Sequence, residues 1–159
     1  MRVVIPWAGP SWPLHAVQLA LQQDGVAAEY HQMRGDEDYH DLLSRLWTEC
    51  ATEGFIVVEH DIVCWPGAIQ KLIDCRHPWC VYPYYCSVGW ILDGLGCVKF
   101  GPGLLQLYPD WLREPFPACC AHTRNYCGLD RLIAHRAQEL GLKPHVHRPG
   151  VTNLNEKWT

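Results

Sequence analysis

The chain has 159 residues, of which 48% are hydrophobic and 19% charged, and its formal net charge is −4. This composition excludes a disordered chain and is typical of one globular domain with a sizeable core. The weak negative charge gives a polyanion no long-range attraction, so we do not expect nucleic acid as a partner.

The first half of the chain alternates short β-branched runs with stretches whose apolar residues recur three or four positions apart. Strands are predicted at residues 2–5, 26–30, 55–59 and 80–82, and helices at residues 13–23, 39–47 and 68–73. We expect Pro6 to end the first strand and Gly25 to end the first helix. This alternation predicts an α/β fold with a mainly parallel central sheet flanked by helices.

In the second half, glycines and prolines interrupt the regular alternation of strands and helices. From Gly89 onward, glycines flank a predicted strand at residues 97–100, and Pro109, Pro115 and Pro117 predict an irregular stretch. A long helix is predicted at residues 129–140, closed by Gly141, and residues 145–147 are expected to be extended. The Val3-Val4-Ile5 run is too short for a signal peptide or a membrane span, so we expect a cytoplasmic protein.

Two carboxylates, Glu59 and Asp61, directly follow the apolar run Phe55–Val58. On a continued strand both would point to one face and repel each other unless a cation or a hydroxyl-rich ligand lay between them. Ligands of open α/β sheets bind at the carboxyl ends of the strands. A metal-assisted site is therefore our leading hypothesis, and a solvated strand end with an Asx-type turn is the alternative.

The chain contains nine cysteines, an odd number for a disulfide framework, and we expect most to be reduced. A zinc site is a weaker hypothesis, because no Cys-x2-Cys pair has a matching second half. Its candidate ligands are Cys75, Cys80, Cys119, Cys120, His122 and Cys127.

Four short motifs and the overall layout give the chain a family resemblance. The motifs are Val4-Ile5-Pro6, Val58-Glu59-His60-Asp61-Ile62 in the place of a DXD motif, the strand Leu95–Phe100, and His145–Gly150 near the end. In these features the chain resembles the GT-A glycosyltransferases, particularly the family 2-like enzymes and their very short phage-type versions. The QxxRW element of processive members is absent, so polymer synthesis is not expected.

The resemblance implies a single GT-A-like domain over residues 1–159, with a nucleotide-binding half at about 1–88 and an acceptor and sugar-side half at about 89–159. It implies transfer of a sugar from a nucleotide-diphosphate sugar, which we take as a UDP-sugar, to an unknown acceptor. A catalytically inert nucleotide- or sugar-binding module of the same fold is the first alternative. A metal-dependent phosphoesterase is the second, and it is less favoured because the chain lacks a second dense set of carboxylates.

The resemblance also implies metal ligands and a catalytic base. Asp61 would bind Mn²⁺ or Mg²⁺ directly, while Glu59 would reach the ion through water or contact the ribose hydroxyls. His147 is the candidate imidazole ligand, with His145 as its competitor. Asp130 would be the general base that deprotonates the acceptor hydroxyl, although a carboxylate in the first turn of a helix is also explained by the helix dipole.

The expected donor-side residues lie in three segments. Pro6, Trp7 and Ala8 lie where relatives bind the nucleotide base, although Trp7 is equally well explained as a core tryptophan. Arg34 is expected to contact the base or phosphates, and the pair Asp93 and Gly94 to line the sugar-side loop, with a plain turn as the alternative. Five aromatic residues are candidates for an acceptor platform, although core packing is the favoured explanation at most of these positions: Tyr82, Tyr84, Tyr85, Trp90 and Trp111.

Overall fold

A computed structural model describes residues 1–9, 11–86, 89–113, 127–148 and 150–154. The strands are β1 (Arg2–Trp7), β2 (Glu29–Gln32), β3 (Phe55–Val58), β4 (Ile62–Cys64), β5 (Trp79–Val81), β6 (Tyr84–Cys86), β7 (Gly89–Ile91), β8 (Cys97–Phe100), β9 (His145–Val146) and β10 (Val151–Asn153). The helices are α1 (Ser11–Gln23), α2 (Asp36–Glu49), α3 (Ala68–Asp74), α4 (Pro102–Leu107) and α5 (Cys127–Glu139).

The central sheet has six strands in the order β2-β1-β3-β8-β5-β9. Strand β8 is antiparallel to both of its neighbours, and the other five strands run in one direction. The predicted mainly parallel α/β architecture is therefore confirmed. Because β8 lies between β3 and β5, the two halves expected from the sequence are interleaved in one sheet.

Two apolar layers cover the two faces of this sheet. Phe55 and Val57 of β3 pack into the layer that contains the buried residues of α2, α4 and α5. Ile56 and Val58 pack into the opposite layer, with the buried residues of α1 and α3. All four side chains are fully buried, and burial of each contributes about 1.5–3 kcal/mol relative to exposure.

The helix ends predicted at Gly25 and Gly141 are confirmed. Gly25 has φ 70°, the Val26 amide donates to the Leu21 carbonyl at 2.9 Å, and the Gly25 amide donates to the Gln22 carbonyl at 3.1 Å. This is a Schellman motif, and it uses Val26 to close α1. Strand β2 consequently begins at Glu29. From the apolar residues we had expected it to begin at residue 26.

Strand β1 also differs from the prediction, since it continues through Pro6 to Trp7. The pairing of β1 with β3 ends at Val4, whereas its pairing with β2 continues to Trp7. Among the described residues, no ladder partner faces Pro6 on the β3 side, so its missing amide hydrogen costs little there.

Several elements were not predicted. Strands β4 and β10 form an antiparallel pair, and β6 and β7 form a hairpin. The stretch after β8 contains α4, which begins at Pro102. Proline is tolerated there because the amide hydrogens of a helix's first turn have no partner within the helix. Among the residues described, no helix combines the length and the apolar character needed to cross a membrane.

Candidate active site

Glu59 and Asp61 lie in a tight turn beyond the end of β3. The Glu59 amide donates to the Gly96 carbonyl at 2.8 Å, and the Ile62 amide donates back to the Glu59 carbonyl at 3.0 Å. The strand does not continue through the two acids, so the expectation that they share one strand face is wrong. The turn keeps Asp61 only 9% exposed, and the Asp61 carbonyl accepts a hydrogen bond from the Leu154 amide at 2.7 Å.

Helix α2 supplies a partner for Glu59. The Tyr39 hydroxyl lies 3.3 Å from Glu59 Oε1 and donates to it. Tyr39 is buried, and burial, followed by the nearby charges of Glu59 and Asp130, raises its pKa well above the usual value. The phenol therefore remains protonated and serves as a fixed donor to the carboxylate. The sequence marked Tyr39 only as part of the apolar stripe of α2, so this contact was not anticipated.

A second phenol, Tyr84, lies among three carboxylates. Burial raises the pKa of Tyr84, and the charges of Glu59, Asp130 and Asp61 raise it further, in that order. These three acids come from the turn after β3 and from the first turn of α5. We call Glu59, Asp61 and Asp130 the acidic cluster. The structure thus places two of the three predicted metal ligands, Glu59 and Asp61, near the same phenol as the predicted base, Asp130.

Asp130 is held in place by the loop that leads into β8. Its Oδ1 accepts a hydrogen bond from the Leu95 amide at 2.8 Å. This contact ties the start of α5 to a loop that runs directly beside Tyr84, so the position of the carboxylate depends on a long-range contact and not on helix capping alone.

The glycines of this loop make room for Tyr84. A Cβ atom on Gly94 would stand 2.7 Å from the Tyr84 hydroxyl oxygen, and one on Gly96 would stand 2.4 Å from the edge of the ring. Packing against Tyr84 therefore accounts for Gly94, which we had expected to face a sugar. The neighbouring Asp93 is exposed in the bend that precedes it.

An aromatic cavity adjoins the acidic cluster. It has a volume of about 680 Å³, and Tyr84 forms part of its wall. The other lining residues are Trp65, Pro83, Tyr85, Trp90, Leu92, Arg148, Gly150, Val151, Thr152 and Asn153. Three members of the expected aromatic platform thus line one cavity, whereas Tyr82 and Trp111 are buried in the core at 1% and 6% exposure.

The expected donor-side residues are more dispersed. Pro6 is buried in β1, Trp7 packs against the α1 and α3 layer, and Ala8 is half-buried after the strand. The Arg34 backbone amide and guanidinium both donate to the Asp38 carboxylate, at 2.9 Å and 3.0 Å to Oδ2. In this arrangement Arg34 holds the start of α2, and its role toward a nucleotide stays a prediction.

His147 lies away from the expected ligand set. In the described part of the chain, the one group of three side chains with ligand atoms close enough for a metal is Cys75, His145 and His147, and neither acid belongs to it. Burial lowers the pKa of His147, and the neighbouring charges of His145 and Lys99 lower it further. For the weaker zinc hypothesis, Cys119, Cys120 and His122 lie outside the described residues, as does the side chain of Cys127.

The acidic cluster suits a hard divalent cation. Mg²⁺ or Mn²⁺ at a diphosphate is commonly bound by one or two carboxylates, with substrate phosphates and water completing the coordination. Asp61 and Glu59 would supply such oxygens, and the Tyr39 hydroxyl donates to Glu59. Carboxylate oxygens suit magnesium and manganese alike, and the preference for manganese through an imidazole ligand stays a prediction.

Comparison with solved structures identifies the fold. A glycosyltransferase involved in the glycosylation of the major capsid of PBCV-1 is 12% identical, matches 94% of this chain over 83% of its own length, and gives a TM-score of 0.56. A197 from STIV is 13% identical, with 98% of this chain and 83% of that chain covered and a TM-score of 0.51. A putative glucose-1-phosphate thymidylyltransferase from Bacillus anthracis is 8% identical, with coverages of 98% and 71% and a TM-score of 0.52.

These likenesses show that the chain has a GT-A-like fold, the fold of nucleotide-sugar transferases, as the sequence motifs had suggested. At identities of 8–13% they show the architecture and not the reaction. No protein-family model matches the chain, and no curated protein matches its sequence.

Proposed function

We propose that the protein is a metal-dependent glycosyltransferase that moves a sugar from a nucleotide-diphosphate sugar to an acceptor hydroxyl. The observation that carries this proposal is the acidic cluster around Tyr84, at the carboxyl end of β3 and beside an aromatic cavity. The GT-A-like fold agrees with the proposal, because ligands of open α/β sheets bind beyond the carboxyl ends of the strands.

In this proposal Asp61 and Glu59 hold Mg²⁺ or Mn²⁺. The ion would neutralise the charge that develops on the leaving diphosphate. Asp61 is the better ligand candidate of the two because it is 9% exposed and lies in a turn fixed at both ends. Glu59, held by Tyr39, either binds the ion through water or accepts hydrogen bonds from the ribose hydroxyls.

Asp130 is the proposed base. The acceptor oxygen forms a bond to the anomeric carbon, the bond from that carbon to the diphosphate breaks, and the hydroxyl proton passes to the Asp130 carboxylate. The hydrogen bond from the Leu95 amide fixes one oxygen of this carboxylate and so sets its direction. The cavity beside it offers Tyr85 and Trp90, whose exposed rings suit the apolar faces of sugars.

The donor base is proposed to bind near the end of β1, where Trp7 is half-buried and Pro6 and Ala8 flank it. A UDP-sugar is the first donor to test. Arg34 and Asp93 remain candidates for phosphate and sugar contacts, since both lie on loops at the surface.

Nucleotide binding is the first test. Melting temperatures should rise when a nucleoside diphosphate and Mn²⁺ or Mg²⁺ are added together, and Asp61→Asn should abolish that rise. Asp41→Asn is the matched control, because the Asp41 side chain is 85% exposed on α2. A wild-type protein that no nucleotide stabilises in a manner requiring both the ion and Asp61 would contradict the proposal.

Product analysis separates the proposal from other activities of the same fold. Glycosyl transfer releases a nucleoside diphosphate, nucleotidyl transfer releases pyrophosphate, and a phosphoesterase cleaves a simple phosphodiester without any nucleotide sugar. An inert binding module binds the nucleotide and releases nothing. Asp130→Asn should retain nucleotide binding and lose turnover if Asp130 is the base.

A further inference from the structure

We propose that Cys75, His145 and His147 form a zinc site on the face of the sheet covered by α3, separate from the acidic cluster. One ligand atom from each of the three side chains lies within 4.8 Å of the other two. The proposal is independent of glycosyl transfer, because it concerns other residues and a softer class of metal ion.

The sheet itself brings these side chains together. His145 pairs with Cys80 in the parallel register of β5 and β9, and Cys80 pairs with Lys99 of β8. Paired residues share a face of a sheet, and so do residues two apart on an extended chain. The His147 amide donates to the Val81 carbonyl at 2.9 Å, so the chain remains paired with β5 through His147. Both imidazoles therefore leave β9 on one face.

Cys75 reaches the same face from the end of α3. It follows the last residue of the helix, and its amide donates to the Lys71 and Leu72 carbonyls. The Lys99 ammonium donates to the Cys75 carbonyl, which fixes the cysteine backbone against β8. Cys80 Sγ lies 3.1 Å from Cys75 Sγ and donates to it, so the cysteine sulfur already has one neighbouring donor.

His147 supplies a second, independent observation. Its Nε2 is buried and has no hydrogen-bond partner among the residues that the structure describes. Leaving such an atom unsatisfied costs about 1–3 kcal/mol, and buried ring nitrogens are normally paired. A metal ion or a water held by one would satisfy it.

The donor set favours zinc over the hard cations of the acidic cluster. One thiolate and two imidazoles are typical zinc ligands, with bonds of about 2.3 Å to sulfur and 2.0–2.1 Å to nitrogen. Tetrahedral bonds of that length place ligand atoms roughly 3.3–3.7 Å apart, so small side-chain movements close the site. The fourth position would be taken by water, and the Cys80 thiol would hydrogen-bond to the ligand sulfur.

Such an ion would fix the last part of the described chain. Strand β9 has only two residues and forms the edge of the sheet. Arg148 and residues 150–153, which follow it, form one wall of the aromatic cavity. A bond from β9 to α3 through zinc would hold that wall in position.

Cobalt is the direct probe, because Co²⁺ replaces Zn²⁺ and reports its ligands by absorption. We expect the full chain to take up one equivalent of Co²⁺, with a thiolate-to-cobalt charge-transfer band and the visible bands of a tetrahedral ion, and Zn²⁺ to displace it. Cys75→Ser should remove the charge-transfer band, and His147→Gln should weaken binding at least tenfold. Zinc at a hundredfold excess over Kd should raise the melting temperature by about 5–10 °C.

Two controls use side chains of the same type outside the site. Cys86→Ser in the β6–β7 hairpin and His135→Gln on α5 should leave cobalt binding unchanged. Asp61→Asn should also leave it unchanged, which separates this proposal from the proposed function. The proposal is wrong if folded wild type takes up no Co²⁺, if Cys75→Ser keeps the charge-transfer band, or if mass analysis of the native protein shows Cys75 and Cys80 joined as a disulfide.

Discussion

Replacing Gly96 by alanine should damage both stability and the candidate site, because Tyr84 occupies the space that a methyl group needs. The added Cβ would stand 2.4, 2.9 and 2.9 Å from three atoms of the Tyr84 ring. Ordinary carbon contacts begin at about 3.5 Å, so the ring must move by roughly 1 Å. Forced repacking of this kind costs about 1–3 kcal/mol, and we expect Gly96→Ala to lower the free energy of unfolding by that amount.

A double-mutant cycle identifies the cause. Tyr84→Ala removes the ring, so Gly96→Ala in that background should be close to neutral, within about 0.5 kcal/mol. Gly103→Ala is the matched control: it lies within α4, and its Cβ would approach nothing closer than 3.6 Å. Since alanine is the better helix former, this control should be unchanged or more stable by about 0.5–1 kcal/mol.

Urea unfolding of the four proteins in the cycle measures these free energies, and nucleotide-dependent melting reports the site. Gly96→Ala should also weaken the nucleotide response, because displacement of Tyr84 disturbs the surroundings of Glu59 and Asp61. If Gly96→Ala costs the same with and without the Tyr84 ring, the clash is not the cause and our explanation of this glycine is refuted.

Three further predictions concern single contacts. Tyr39→Phe removes the donor to Glu59 and should lower the free energy of unfolding in urea by about 1 kcal/mol. Tyr85→Phe, at 50% exposure, should lower it little, and equal losses would contradict the role of the Tyr39 hydroxyl. Leu46→Ala, at 0% exposure, should cost about 2–5 kcal/mol, and Leu107→Ala, at 67%, should stay within about 0.5 kcal/mol. The third contact is the ion pair between Arg2 and Glu29, in which the hydrogen bond from the Arg2 guanidinium lowers the pKa of Glu29 from its ordinary 4.5. The carboxylate therefore stabilises the fold above pH 4.5, and this contribution is lost as the pH falls through the lowered pKa. Glu29→Gln should therefore be less stable than wild type at pH 7, by under about 1 kcal/mol because the Glu29 side chain is 43% exposed. The difference in stability should disappear in acid, and a difference that persists there would refute this explanation.

The sequence predicted the central strands and long helices well, because their signals are local. The β3 run is uniformly apolar and buried on both faces, and the stripe on α2 faces the core as its spacing requires. Gly25 and Gly141 end their helices because only a residue that tolerates positive φ fits the Schellman geometry without strain.

The elements that the sequence did not predict depend on partners far away in the chain. Strand β4 has three residues and becomes a strand only by pairing with β10, about ninety residues later. The reversal of β8 relative to its neighbours likewise has no local signal, since a short run of strand-forming residues does not indicate the direction of the strand.

The candidate site shows the same division. The pattern of Glu59 and Asp61 after a buried strand located the carboxylates, but not the turn that orients them or the two phenols that face them. The structure groups His147 with Cys75 and His145, and the sequence could not show this because it does not reveal which edge of the sheet His147 follows. Cys75 was singled out for zinc with partners from a different segment, and its closeness to the histidines follows only from the pairing of β5 with β9.

The insertion of β8 between β3 and β5 has a consequence for how the molecule assembles. Until residues 97–100 have entered the sheet, β3 and β5 each present an unpaired inner edge, and such edges promote intermolecular aggregation. A fragment that stops before β8 would carry both gaps permanently. We therefore expect the sheet to melt in one cooperative transition. We also expect that a protease cut in the loop before β8 leaves neither fragment soluble.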